Sequence, residues 1–271
     1  MSGLPESTYH YHLANDKQPS KDQALEELIE TLFYKYKETY GYRRITSVLR
    51  QQGMVINHKK VQRIMKKLGL RCIKFWRKSR KYSSYKGTVG KIAKNRLKRH
   101  FTTSIPLQKL TTDITEFKCL NNEKLYLSPI MDLYNREILS FKMSKHPTLD
   151  LVSEPLHETV NLLRAHAVYR TTVHTDQGWH YQHQLWCGTL KKNKIFQSMS
   201  RKGNCLDNSP MENFFGILKQ EMYYGTELTS YGQLKERVET YIDYYNNERI
   251  KEKLAGMSPV QYRKHASQLA A

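Results

Sequence analysis

From Thr39 to Thr112 the chain carries 21 Lys and Arg residues and no carboxylate at all. Its flanks differ: residues 1–38 hold 4 bases against 7 acids, and residues 113–271 hold 20 against 18. The net charge of +20 is therefore the charge of one segment. Unopposed cations repel one another in any compact arrangement unless a polyanion neutralises them. Duplex nucleic acid, with one phosphate per ~1.7 Å of axis, fits that need. A ribosome-like or membrane-surface role is the alternative that charge alone leaves open. The aromatics interleaved in "IKFWRKSRKYSSYKG" suit base stacking or backbone contact, and a solvated linker accounts for them almost equally.

With 39% hydrophobic and 26% charged residues, 271 positions can bury one good core or two small ones. No apolar run approaches the ~20 residues that cross a bilayer, and the polar N-terminus lacks the pattern of a signal peptide. We therefore place the chain in the cytoplasm, with no membrane partner. Cys72, Cys119, Cys187 and Cys205 are scattered without a C-x-x-C pair, which favours reduced thiols over a disulfide or zinc framework. His180 and His183 lack a second ligand pair and read as surface or core histidines of a short helix.

The basic block and its approach are helical in pattern. Leu25, Leu28, Ile29, Leu32 and Phe33 recur at helical spacing, with Gly41 expected to end that helix. "RRITSVLRQQG" and "NHKKVQRIMKKLG" predict two short helices, the second opened by Asn57 as N-cap and stopped by Gly69. Val61, Ile64, Met65 and Leu68 form its apolar face, and Lys59, Lys60, Arg63, Lys66 and Lys67 cover the rest. Three short helices with a basic last one suggest a helix-turn-helix module, against a small bundle with a solvated basic face. Composition then predicts an N-terminal extension at 1–20, the DNA-binding domain at 21–75 and a basic linker at 76–108 with Pro106 near its end.

After residue 108 the period changes to that of strands. "KLTTDITEFKCL", "EKLYLSPIMDLYN" and "REILSFKMS" predict three antiparallel strands, residues 149–165 a helix, and "TTVHT" a fourth strand leading into Asp176. The order βββαβα implies a mixed α/β sandwich, with a core at 109–225 and a helical segment at 226–271 completing it.

Three acids stand out in this part. In "SPMENFFGILKQEMYY", Ser209 as N-cap, Pro210 at N1 and Glu212 at N3 predict a capping box, which accounts for Glu212 structurally. Yet Glu212, Gly216 and Lys219 line a stripe opposite the apolar arc of Phe214, Phe215, Ile217, Leu218 and Met222. A glycine inside a helix costs ~1 kcal/mol against alanine, so something bulky is expected to approach that stripe. Asp113 could be a solvated strand residue, and Asp176 could serve an Asp-x-Gly turn. Together, acids from the first strand, the end of the fourth strand and a helix can converge at one sheet edge. Carboxylates so placed repel unless cations lie between them, and Mg²⁺, with Mn²⁺ as a substitute, suits an all-oxygen set. Asp132 and Asp207 are assigned to a hairpin and to the loop before the helix.

These residues resemble the D, D, E triad of retroviral-integrase-like transposases: Asp113 in "TDIT", Asp176 in "HTDQG" and Glu212 in "DNSPMENFFGILKQE", with 35 residues between the last two. "YGYRRIT" and "NHKKVQRIMKKLGL" resemble the helix-turn-helix region of bacterial insertion-sequence transposases encoded by two overlapping frames. "YIDYYNNERI" and "MSPVQYR" resemble their C-terminal signature. The resemblance spans about residues 22–264. It implies an RNase H-like mixed five-stranded sheet flanked by helices, Mg²⁺-dependent cleavage at element ends and transfer of a 3′-hydroxyl to another phosphodiester. It also implies metal ligation by Asp113, Asp176 and Glu212 and a DNA contact by Lys219; Arg43, Arg44, Lys59, Lys60, Arg63, Lys66, Lys67 and Arg249 are the further expected DNA contacts. The implied partners are double-stranded DNA (terminal repeats and target), the first-frame protein of the same element, and a second copy of the chain in a homodimer or larger synaptic assembly. An integrase-type His/Cys zinc domain is missing from the pattern. The start "MSGLPESTYHYH" resembles the tail of an upstream helix-turn-helix, as expected of a second-frame or truncated product that binds DNA with little sequence preference by itself. A non-catalytic DNA-binding regulator and a plain RNase H-like nuclease are the rival readings.

Overall fold

The computed structural model describes residues 22–72, 92–201 and 205–269. The chain divides into two units between Trp76 and Arg77. The expected N-terminal extension and the aromatic-basic start of the expected linker lie outside the described residues.

In the first unit, apolar spacing produces helices α1 (Gln23–Lys35), α2 (Tyr42–Gln51) and α3 (His58–Lys67). Ile29, Leu32 and Phe33 of α1 are buried with Ile45, Val48 and Leu49 of α2 and Val61, Ile64 and Met65 of α3. Asn57 caps α3 as expected, its side-chain oxygen accepting the Lys59 N–H at 2.9 Å. Gly69, at φ +68°, takes the left-handed conformation that closes the helix. Gly41 plays another part than expected. Helix α1 ends at Lys35, where the N–H groups of Tyr36 and Glu38 satisfy the Leu32 and Phe33 carbonyls and Lys37 and Glu38 turn left-handed. Gly41 is the extended N-cap of α2.

The second unit is built on strands β1 (Lys109–Thr112), β2 (Thr115–Lys118), β3 (Lys124–Asp132), β4 (Ile138–Ser144), β5 (Thr172–Thr175) and β6 (Phe196–Met199). The first strand expected from sequence is split into β1 and β2. Both lie along one edge of β3 without a slip of register, Thr112 facing Ile130 and Thr115 facing Leu127. By that register the intervening Asp113 faces Pro129, which has no N–H to offer the ladder. The sheet is thus five strands wide, in the order β4, β3, β1/β2, β5, β6. Pairing is antiparallel around β3 and parallel from β1 through β5 to β6.

Alternation along the strands fixes two helical layers. Phe117, Leu125, Leu127 and Met131 pack against Met211, Phe214 and Leu218 of α7 (Ser209–Leu218) and Leu234, Val238 and Tyr245 of α8 (Tyr231–Asn247). On the other face, Leu110, Ile130 and Val173 pack against α4 (Asp150–His166), α5 (Trp179–Gln182) and α6 (Gln184–Lys192). The last helix, α9 (Pro259–Leu269), follows α8. Residues 92–108, the end of the expected linker, lie on this unit. Leu97 and Leu107 are buried, the Arg96 N–H donates to Ser198 Oγ, and the Leu107 N–H donates to Asp132 Oδ2.

Candidate active site at the carboxyl edge of the sheet

Parallel pairing brings two of the three acids together. Lys109, Leu110 and Thr111 face Thr172, Val173 and His174, a constant offset of 63 residues. The same offset relates Asp113 to Asp176, so both leave adjacent strands at equivalent positions of one sheet edge. Each is fixed by a backbone N–H: Ile114 donates to Asp113 Oδ1 and Gly178 donates to Asp176 Oδ1, both at 2.8 Å. A side chain at position 178 would begin 3.0 Å from that same Asp176 oxygen, which accounts for glycine there. Burial first, and the Asp176 charge second, hold the Asp113 carboxyl well above the usual range; the Glu212 charge adds more weakly and Lys219 opposes. Burial raises Asp176 as well, against the Gly178 N–H and His180.

Glu212 arrives from α7, whose start is anchored by a residue the sequence reading passed over. Asn208 Oδ1 accepts from Thr111 Oγ1 at 2.5 Å and its Nδ2 donates to the Thr112 carbonyl at 3.2 Å. This pins the helix to the strand that ends at Asp113. Asn208, not Ser209, is the N-cap, and no side chain caps the helix, so the expected capping box does not form. The Asn208 side chain is already engaged on β1, and Glu212 is left on the exposed face of the first turn, its carboxyl raised by partial burial alone. Beside it, apart from its own helix backbone and chain neighbours, no described residue comes within 4 Å of a Cβ placed on Gly216, so the described residues do not crowd that position.

Lys219 opens a π-helical turn (Lys219–Tyr223) after α7. Its Nζ donates to the Glu116 carbonyl at 2.9 Å and lies 4.9 Å from the Phe117 ring centroid. The Tyr223 hydroxyl accepts from the Lys118 N–H and donates to the Lys118 carbonyl, tying the turn to β2. Arg249 corrects the sequence reading. Its side chain is 1% exposed and grips Glu221, itself 2% exposed, through Nε at 2.7 Å and Nη2 at 2.6 Å. Tyr241 adds a hydroxyl to the same carboxylate. Burying a carboxylate in the π-turn requires a charged partner, and that demand removes Arg249 from the surface that DNA could touch.

In the first unit, Lys60 and Arg63 pair with Asp22, and Lys67 pairs with Glu26. Such exposed pairs are weak and salt-screened, so they leave these bases exchangeable. Lys59 and Lys66 are exposed and form no ion pair among the described residues. Arg43 and Arg44 lie against the rings of Tyr42 and Tyr40.

Two other acids lie where the sequence placed them. Asp132 sits in the β3–β4 hairpin, accepting the Leu107 and Tyr134 N–H groups, with burial raising it to about 6. Asp207 precedes α7 and gathers Arg201, Arg99 and Asn95. Sequence reasoning also missed Tyr181, buried beneath the edge, whose hydroxyl is pushed up by burial and then by the Asp113 and Asp176 charges.

All-carboxylate donors suit a hard divalent cation. Among the described residues, however, no three His, Cys, Asp or Glu side chains, the three acids included, are grouped so that they could hold a metal ion. No described helix is long and apolar enough to cross a membrane. A mixed sheet with acids at the carboxyl ends of adjacent parallel strands, joined to a small helical unit, defines the class of an integrase-type core with a helix-turn-helix partner. Family comparison agrees: residues 20–80 match the HTH-like domain, and residues 103–205 and 212–266 each match an integrase core domain. The chain is 42% identical over 260 residues to the putative transposase InsK for insertion sequence element IS150 of Escherichia coli K12, covering 96% of this chain and 90% of that one. It is 50% identical over 215 residues to a transposase-like protein of Haemophilus influenzae, covering 79% and 95%. The chain belongs to the bacterial insertion-sequence transposases of the D, D, E retroviral-integrase-like superfamily. The magnesium-bound catalytic core of HTLV-2 integrase aligns over 58% of this chain and 97% of that core, with 16% identity and a TM-score of 0.43.

Proposed function

We propose that this chain is the second-frame catalytic protein of an insertion sequence, cutting DNA at the element's ends and joining the freed 3′-hydroxyl to a target phosphodiester. Asp113, Asp176 and Glu212 are assigned as the catalytic carboxylates and as ligands for Mg²⁺, or Mn²⁺ in its place. When bound, the ions would supply charge stabilisation to an in-line displacement at phosphorus. The chain's own part is positional. Ile114 and Gly178 orient the two aspartates, Asn208 fixes the helix that carries Glu212, and Lys219 offers a cation beside the acids for a DNA phosphate. Lys59, Lys60, Arg63, Lys66, Lys67, Arg43 and Arg44 would hold DNA by its backbone, with the first-frame protein contributing end recognition and a second copy completing a synaptic pair in the cytoplasm.

The observation that carries this reading is the equivalence of Asp113 and Asp176 on adjacent parallel strands, without an ion-pairing cation among the described residues. Two partly buried like charges cost stability, and a bound cation is a direct reason to keep them. The test incubates a labelled terminal-repeat duplex with Mg²⁺ and the intact protein or Asp176→Asn. Cleaved and joined strands are expected from the intact protein alone, with DNA retardation by both. Nicks without joined products would favour the nuclease, and equal product from Asp176→Asn would remove the acid from the reaction.

A further inference from the structure

Asp207 is a hub with its side chain fully buried, and two half-open arginines converge on it. Arg201 donates its backbone N–H (3.0 Å) and Nε (2.9 Å) to Oδ2 and its Nη2 (2.9 Å) to Oδ1. Arg99 donates Nε to Oδ1 at 2.9 Å, and Asn95 donates Nδ2 to Oδ2 at 3.2 Å. The Asp207 side chain is 0% exposed, while those of Arg99 and Arg201 are 42% and 61% exposed. One carboxylate therefore holds two guanidinium groups side by side and leaves the trio with a net positive charge. Arg99 and Asn95 fasten residues 92–100 to the unit, and Arg201 closes the loop that leads from β6 to α7. Two guanidinium groups fixed by a common anion, and still 42% and 61% exposed, present a pre-set positive charge to another anion.

The position of the trio supplies the ligand. The Ser200 N–H donates to the Thr175 carbonyl and the Gln177 side chain donates to the Ser200 carbonyl, so Arg201 directly follows a residue bonded on both sides of Asp176. At the other end, Asp207 adjoins Asn208, which binds Thr111 and Thr112 next to Asp113. The clamp is thus tied through one residue to each aspartate. We propose that Arg99 and Arg201, clamped on Asp207, form a binding site for a phosphodiester of the DNA strand that enters the carboxylate edge. The site rests on the reading of that edge as a DNA-cutting centre. It would grip a phosphate flanking the reacting one, so the strand is held at two points and cannot slide past the acids.

The test measures full-length protein on a fluorescent duplex by anisotropy across a salt series. In Arg99→Gln/Arg201→Gln, affinity should fall roughly tenfold or more, and the slope of log K against log salt should shrink by about 0.9 for each phosphate no longer neutralised. Arg201→Lys keeps the charge and loses the fork, so it should keep the slope and lose a few-fold in affinity. In cleavage assays these variants should raise KM with little change in kcat. A slope and affinity equal to the parent's in both variants, measured at a temperature where each is folded by circular dichroism, would overturn the proposal. The readout is separable from chemistry: a parent protein that binds but never cuts defeats the active-site reading, whereas an unchanged slope defeats the clamp.

Discussion

Replacing Arg249 by methionine tests whether this arginine is a strut or a DNA contact. The substitution leaves the Glu221 carboxylate buried in the π-turn without the guanidinium that grips it through two hydrogen bonds. Stranding one member of a buried pair costs about 3–5 kcal/mol. In a unit of this size each kcal/mol moves the melting point by ~2–4 °C, so a fall of roughly 6–20 °C is expected. Adding Glu221→Leu removes the stranded charge and should restore most of the loss. The remainder, about 1–2 kcal/mol, is the Tyr241 hydroxyl left without its acceptor. Thermal unfolding followed by near-ultraviolet circular dichroism measures all three proteins. An Arg249→Met protein that melts within about 2 °C of the parent, yet binds DNA more weakly with a reduced salt slope, would refute the strut and return Arg249 to the DNA surface.

Two further outcomes follow from local geometry. Gly178→Ala places a methyl 3.0 Å from Asp176 Oδ1; displacement of that carboxylate should lower strand cleavage roughly tenfold or more with DNA affinity unchanged, and parental turnover would contradict the reading. His174, buried between Ser198 and Ser200, is lowered to about 4 by burial, so the folded state holds it neutral. Its contribution is complete above the unfolded value of ~6.5 and is lost as pH falls toward 4, up to about 3 kcal/mol; urea unfolding should show His174→Asn losing less stability than the parent between pH 7 and 4.5.

Much of this architecture was readable from period and punctuation. The apolar spacing in α1 and α3, the Asn57 cap and the strand alternation after residue 108 are local signals, and local physics decides them. The paired aspartates were legible only in combination, since each alone had an ordinary use, and Asp176 does hold the Asp-x-Gly contact as well. What escaped depends on distant partners. Ser209 looked the better cap because the engagement of Asn208 with β1, almost a hundred residues earlier, leaves no local trace. The split between β1 and β2 reflects Pro129 on the facing strand. The short strand β6 lacks a strong period, and its register comes from β5. Residues 92–108 resemble a linker in composition, yet Leu97, Leu107 and the Asp207 network bind them to the core. Arg249 resembles a surface cation in sequence, and only the fold sets Glu221 against it.

The central claim is that Asp113, Asp176 and Glu212 share divalent ions at the carboxyl edge of the sheet. Its most direct test is a Mn²⁺ titration of the full-length protein by electron paramagnetic resonance, in the parent and in Asp113→Asn, Asp176→Asn and Glu212→Gln. The account predicts tight Mn²⁺ binding in the parent, displaced by Mg²⁺ and severely weakened in either aspartate variant, with a smaller loss for Glu212→Gln. Binding that is unchanged when both aspartates are replaced would contradict it.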